Sequence, residues 1–185
     1  NYCGNETPIS ARDHKPYNKI IENYEGHNLR IEFADTIKGG EPVRLLKHYD
    51  KKGWLIEQGE IKNGKYDGEV QWFYPSGGLK ISCYYNDSIP YGNWKEYYQN
   101  ETLKAEYSYE NGKLSGPYKY FHANGQLWTE RVYNDGKLWM VNSNYDKSGN
   151  TLNKGTLKNG SGTLKVYDDE GILLEIRIYK NGNVQ

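Results

Sequence analysis

The sequence predicts an all-β fold: an elongated β-meander of stacked antiparallel hairpins, about six repeats of 24 residues, behind an irregular N-terminal segment. Three observations carry that expectation. Turn dipeptides recur at Asn63-Gly64, Asn111-Gly112, Asp135-Gly136, Asn159-Gly160 and Asn181-Gly182, at spacings of 48, 24, 24 and 22 residues. Half a period away stand Gly53, Gly77, Gly125, Gly149 and Gly171, so each unit holds two turns and therefore two strands. Apolar side chains fall into columns between them: Leu55, Leu79, Leu103, Leu127 and Leu173, with Thr151 in the same register, and then Ile61, Tyr85, Tyr109, Tyr133, Leu157 and Tyr179.

Taken in order, residues 1–25 fit no unit and read as a tail or a cap over the first strand edge. The repeat domain is expected over 26–185. Gly40 precedes Gly53 by the 13 residues that separate Gly112 from Gly125, which places Leu29–Phe33 and Glu41–Tyr49 as a first, atypical hairpin. Pro42, at the start of its strand, suits an edge. The stretch Leu103–Tyr109 alternates apolar and polar side chains with period two, as a half-buried strand does. Asn111-Gly112 then favours the two positive φ values of a tight hairpin turn. Asp87-Ser88 fills the register that Asn-Gly leaves empty, and Glu101 stands where Gly77 and Gly125 stand. After each turn come two further columns: Val70, Trp94, Tyr118, Val141 and Leu164, and Phe73, Tyr97, Phe121, Asn144 and Tyr167. One hairpin cannot bury enough surface to stand in water, so the units must stack.

Composition agrees with a core built from amphipathic rings. The chain has 19 Tyr and 5 Trp but only 3 Phe and 1 Met, and disordered chains are poor in aromatics. With 24 basic and 24 acidic residues it carries no net field to draw nucleic acid or anionic lipid over a distance. Cys3 and Cys83 are too few for a disulfide framework and lack metal spacing. They could pair across the fold or remain a tail thiol and a strand thiol. The chain starts at Asn1 with a Cys nearby, which fits a trimmed leader and a cell-envelope or periplasmic location; trimming of a loose end and a cytoplasmic location fit as well.

No catalytic constellation emerges. His14, His27, His48 and His122 share no ligand spacing, and His122 occupies a turn-flanking slot filled by Tyr74, Tyr98 and Tyr145 elsewhere. Asp50, Asp146, Asp168 and Asp169 recur beside turns without the dense spacing of a calcium loop, so neither metal nor cofactor is expected. The excess of rings is the candidate binding surface: Trp72, Trp94, Tyr98, Tyr120, Trp128 and Trp139 are the expected anchors for a protein partner, with packing among neighbouring rings as the alternative. Lys95, Lys119 and Lys165 recur beside these columns, as lysines that block edge aggregation would.

The run Tyr109-Glu110-Asn111-Gly112-Lys113-Leu114-Ser115-Gly116, continuing to Phe121, Asn124-Gly125 and Leu127, resembles the bacterial variant of the MORN repeat. Looser copies span Ile61–Gly68, Tyr85–Gly92, Tyr133–Trp139 and Leu157–Gly162, with Trp139 standing where a second Gly of the unit is expected. The resemblance covers about residues 40–185 and implies a slightly twisted sheet of stacked hairpins. It also implies a non-catalytic protein-binding role, in its sharpest form that of a YwqK-like antitoxin or immunity protein that neutralises a toxin by direct binding. A structural or envelope scaffold that contacts lipid or glycan is the alternative.

Overall fold

The computed structural model describes residues 19–24, 27–38 and 40–185, and its described strands follow one another as an antiparallel meander. The first three are β1 (Lys19–Tyr24), β2 (His27–Lys38) and β3 (Glu41–Tyr49). The regular array follows as β4 (Leu55–Lys62), β5 (Lys65–Phe73), β6 (Leu79–Asn86), β7 (Ile89–Tyr97) and β8 (Leu103–Glu110). Next come β9 (Lys113–Leu114), β10 (Gly116–Phe121), β11 (Leu127–Asn134) and β12 (Lys137–Tyr145). The chain closes with β13 (Thr151–Leu152), β14 (Gly162–Tyr167), β15 (Leu173–Lys180) and β16 (Asn183–Val184). Strands β1 to β13 form one open sheet in chain order, and β14 to β16 form a second. Among the described residues no helix is long and apolar enough to cross a membrane.

Turn chemistry explains this path. At Asn63, Asp87, Asn111, Asp135, Asn159 and Asn181, φ lies between 49° and 52°, and the following residue is also positive, the pattern of the type I′ turn that matches strand twist. At the other end of the units Gly53, Gly77, Gly125, Gly149 and Gly171 have φ of 81–89°, and Glu101 adopts 65° in the same place. The turns also stack on one another. Ser88 N–H donates to Tyr66 O, Gly112 to Pro90, Gly136 to Leu114, Gly160 to Trp139 and Gly182 to Gly160, at 2.7–3.2 Å.

The expected first hairpin forms, with Phe33 opposite Leu46 and Ile37 opposite Pro42. Residues 19–24 add one more strand against β2 outside it. Two column assignments need correction. The strand that ends at Phe73, Tyr97 and Phe121 in earlier units ends at Tyr145, so Asn144 is one residue off that column. The turn slot of Tyr74, Tyr98 and His122 is likewise held by Asp146 and not by Tyr145, since Gly149 N–H returns to Asp146 O as Gly125 N–H returns to His122 O. Register shifts between β11 and β12 are the cause: the bulged strand absorbs an extra residue while the turn-to-turn spacing stays constant. By spacing from Gly136, the second-glycine slot falls on Met140, one beyond Trp139.

One face of the sheet carries the core. Val70, Cys83 and Trp94 form one buried cluster, flanked by Tyr66, Trp72, Ile81, Tyr85, Tyr107 and Tyr109. Leu138, Val141, Leu157, Leu164 and Tyr179 form a second, where the irregular segment 153–161 folds between β12 and β14. Cys83 is a free, fully buried thiol that donates to Val70 O, and burial pushes its pKa up to about 12. Cys3 lies outside the described residues.

Candidate functional site

The rings make their network because glycines leave them room. Gly68 stands opposite Tyr85, Gly92 opposite Tyr109, Gly116 opposite Tyr133 and Gly162 opposite Tyr179. A bare backbone on one strand lets the ring of the next lie across it. From there the rings touch in sequence across six strands: Tyr66 to Tyr85 at 5.7 Å, Tyr85 to Trp94 at 5.4 Å, Trp94 to Tyr107 at 6.1 Å, Tyr107 to Tyr118 at 5.0 Å and Tyr118 to Tyr133 at 5.6 Å. Such contacts contribute about 0.5–1.5 kcal/mol each beyond area burial. They also hold the rings rigid, because each is wedged between two others.

Carboxylates tie the hydroxyls down. Tyr66 donates to Glu57, which also meets His48 Nδ1 at 3.1 Å, and Tyr107 donates to Glu96 at 2.8 Å. Burial first, then the neighbouring carboxylate, raises the Tyr66 and Tyr107 pKa values well above the ordinary phenol range. Burial likewise lifts Tyr118 to about 12.

A second device stitches each central unit to the next. Tyr74 Oη donates to Tyr97 O and Tyr98 Oη to Phe121 O, both at 2.7 Å, and His122 Nε2 meets Tyr145 O at 3.2 Å. In every case the acceptor lies 23 residues on. Where Asp holds the slot the side chain turns inward instead. Asp50, Asp146 and Asp168 accept from backbone N–H groups two and four residues ahead, closing their own turns. His122 is only 2 % exposed, with Nδ1 3.1 Å from Asp169 and its ring stacked on Trp128 at 4.4 Å and 9°. Its slot-mates Tyr74 and Tyr98 are the signal that could have marked it as packed and not merely flanking a turn.

The six expected anchors separate into three groups. Trp72 and Trp94 are neighbours at 6.3 Å, but Trp94 is 8 % exposed in the core, with an indole N–H that finds no partner among the described residues. Tyr98, Tyr120 and Trp128 come together around His122: Tyr120 lies 5.5 Å from Trp128, and the Tyr98 pKa is raised by burial and then by the Tyr120 hydroxyl beside it. All three keep part of their surface in solvent. Trp139 stands apart, its ring so close over the Asn159–Gly160 turn that a Cβ on Gly160 would meet it at 2.8 Å.

The opposite face is polar. One row runs across the sheet as Lys47, Gln58, Gln71, Ser82, Lys95, Glu106, Lys119, Glu130 and Ser143, each opposite the next. Lys95 and Lys119 therefore sit on interior strands opposite glutamates, and Lys119 Nζ reaches Glu106 at 3.2 Å. They balance a charge ladder and do not shield an edge.

Among the described residues no group of three or more His, Cys, Asp and Glu side chains converges to hold a metal. The largest concavity, about 520 Å³, is an open apolar groove lined by Trp54, Leu55, Phe73, Pro75, Ser76 and Gly77. It presents no titratable side chain.

Residues 66–87, 90–111, 114–135 and 161–181 each match the MORN repeat variant. Each matched segment starts just after a type I′ turn and ends on the first residue of the next or on the turn itself, so one repeat is the second strand of one hairpin joined to the first strand of the following one. No curated protein matches the chain.

Proposed function

Taking the chain as a MORN-repeat protein, we propose that it is a non-catalytic module whose ring-bearing face docks a protein partner around Tyr98, Tyr120 and Trp128. Repeats of this kind are generally protein- or lipid-binding modules and typically non-catalytic. The observation that carries the reading is the ring network: rings locked by neighbours and by hydrogen bonds to carboxylates or carbonyls lose little freedom on binding, and partly exposed Trp and Tyr are the side chains that anchor interfaces. Trp94 belongs to the support of that face, and Trp72, beside it, lies at its flank. A protein partner is favoured over lipid by the balanced charge and by the cross-strand pairing of the lysines.

The finer form of the proposal is that the partner is a toxin which this chain neutralises, and its support is the resemblance of Tyr109–Leu127 to repeats of the YwqK-like antitoxins. Co-expression with the product of a neighbouring toxin gene is the test. Protection and a stable complex are expected, with Trp128→Ala weakening the complex roughly 30-fold, the effect of losing about 2 kcal/mol at one anchor. Neither protection nor complex would remove the antitoxin reading. A complex indifferent to both Tyr120→Ala and Trp128→Ala would move the docking site off this face.

A further inference from the structure

The densest apolar exposure among the described residues lies far from the Tyr98–Trp128 patch. Ile172, Leu173, Leu174, Ile176, Ile178 and Val184 are each 44–63 % exposed, and the first five stand on or next to β15. Leu174, Ile176 and Ile178 alternate onto one face, while Glu175, Arg177 and the buried Tyr179 take the other. On its inner side β15 is paired with β14 from Leu173 to Tyr179. On its outer side β16 reaches only Tyr179 and Lys180, and Gln185 N–H donates to Ile178 O at 3.0 Å. That bond shows that the main-chain groups of every second residue, Leu174 and Ile176 included, point outward, where no described strand lies. An open edge bearing branched apolar side chains, without a Pro, a Lys or a bulge along Leu174–Ile178, is a template for another strand.

The order of side chains identifies that strand. We propose that β15 is a self-docking strand, through which two copies of this chain pair antiparallel about a two-fold axis at Ile176. In this register Ile176 faces Ile176 of the second copy, and Leu174 faces Ile178. The six side chains make one continuous stripe. On the other face Glu175 lies opposite Arg177 of the second copy, twice by symmetry, and these contacts replace the pairing that Arg177 Nε makes with Glu175 at 2.8 Å within one chain. Charge selects the register. Moving the axis to residue 175 sets Glu175 against Glu175, and moving it to residue 177 sets Arg177 against Arg177. The single Gln185 bond to Ile178 O gives way to the N–H of Leu174 from the second copy.

Sedimentation equilibrium of the 185-residue chain from about 1 μM to about 1 mM, a range wide enough to capture micromolar association, tests this. A monomer–dimer equilibrium is expected. Ile176→Lys should abolish the dimer without changing the far-ultraviolet circular dichroism, since the side chain is 53 % exposed. Arg177→Glu should weaken it roughly tenfold by facing glutamate with glutamate, and the double exchange Glu175→Arg with Arg177→Glu should restore it. A chain that stays monomeric throughout, or a dimer untouched by Ile176→Lys, overturns the proposal. A dimer that the double exchange fails to restore overturns the register. None of these outcomes depends on the ring-bearing face or its partner.

Discussion

Between Leu55 and Asn134 the sheet is closed on both sides of every long strand and its ring column is continuous, whereas the last three strands obey the same turn rhythm with an open edge and bare isoleucines. The turns are alike in both regions: Asn111 and Asn181 share φ 51°. What differs is the link between units. In the centre, Tyr74, Tyr98 and His122 each reach a carbonyl 23 residues ahead, and the next strand is drawn into the same sheet. At Asp146 and Asp168 the carboxylate spends its bonds on its own turn, and between these two aspartates the sheet divides, at β13 and β14. Turn chemistry sets the path of the chain, and side chains that span units make the array cohere.

The largest consequence of this contrast is alkaline. Tyr66, Tyr98, Tyr107 and Tyr118 all lie in the central region, and all have folded pKa values raised above the unfolded value of 10.0. An acid group whose folded pKa is raised contributes stability that is whole below the unfolded pKa and is lost as pH climbs through the folded one. Melting temperature should hold level to about pH 10 and fall steeply from there toward the Tyr118 value of about 12. Phenolate absorbance that rises for every tyrosine near pH 10, with the fold intact, would show that the rings are not held as described.

Next in size is a pair of truncations in the final strands. Leu164 is fully buried and Ile176 is 53 % exposed, so Leu164→Ala should cost about 3 kcal/mol and Ile176→Ala under about 0.5 kcal/mol in denaturant melts of the dilute protein. Equal costs would erase the distinction between supported core and open face. Smaller again is Gly59→Ala in the centre. The added Cβ would lie 2.6 Å from the Tyr66 ring and 3.0 Å from Val70 Cγ2, and a loss of about 2 kcal/mol is expected by the same melts. The smallest change is a gain. Glu101 sits at φ 65° in a slot that Gly77 and Gly125 hold elsewhere, so Glu101→Gly should stabilise by about 1 kcal/mol. A loss would mean that the Glu101 side chain contributes more than its backbone strain costs.

Much of this architecture was legible in the residues. Asn-Gly and Gly at fixed spacing announce positive φ directly, which is why even the irregular Asp87-Ser88 and Glu101 could be placed by register alone. Tyr85, Tyr109 and Tyr133 could be aligned because each recurs opposite a glycine. The bulges of β12 were not legible, because Asp135 and Asn159 keep the 24-residue spacing while the strand between them shifts register. Asn144 was misplaced for that reason, and the second-glycine slot was set on Trp139 when it falls on Met140. Depth was not legible either. Trp94 and Trp128 are the same residue type on the same face, yet one is wedged among rings from both adjoining strands and the other keeps an open side. The burial of His122 depends on Trp128 and on Asp169, 47 residues away, and no local pattern announces either contact.

Amide hydrogen exchange, read residue by residue, tests the contrast between the two regions most directly. The N–H groups of Cys83 and Ala105, in the centre of the long sheet, should exchange only through global unfolding. Those of Leu174 and Ile176 should exchange at nearly unprotected rates in dilute solution and slow as protein concentration rises. Full protection of Leu174 and Ile176 at every concentration, or fast exchange at Cys83 and Ala105, would contradict the division between a stitched array and an open final edge.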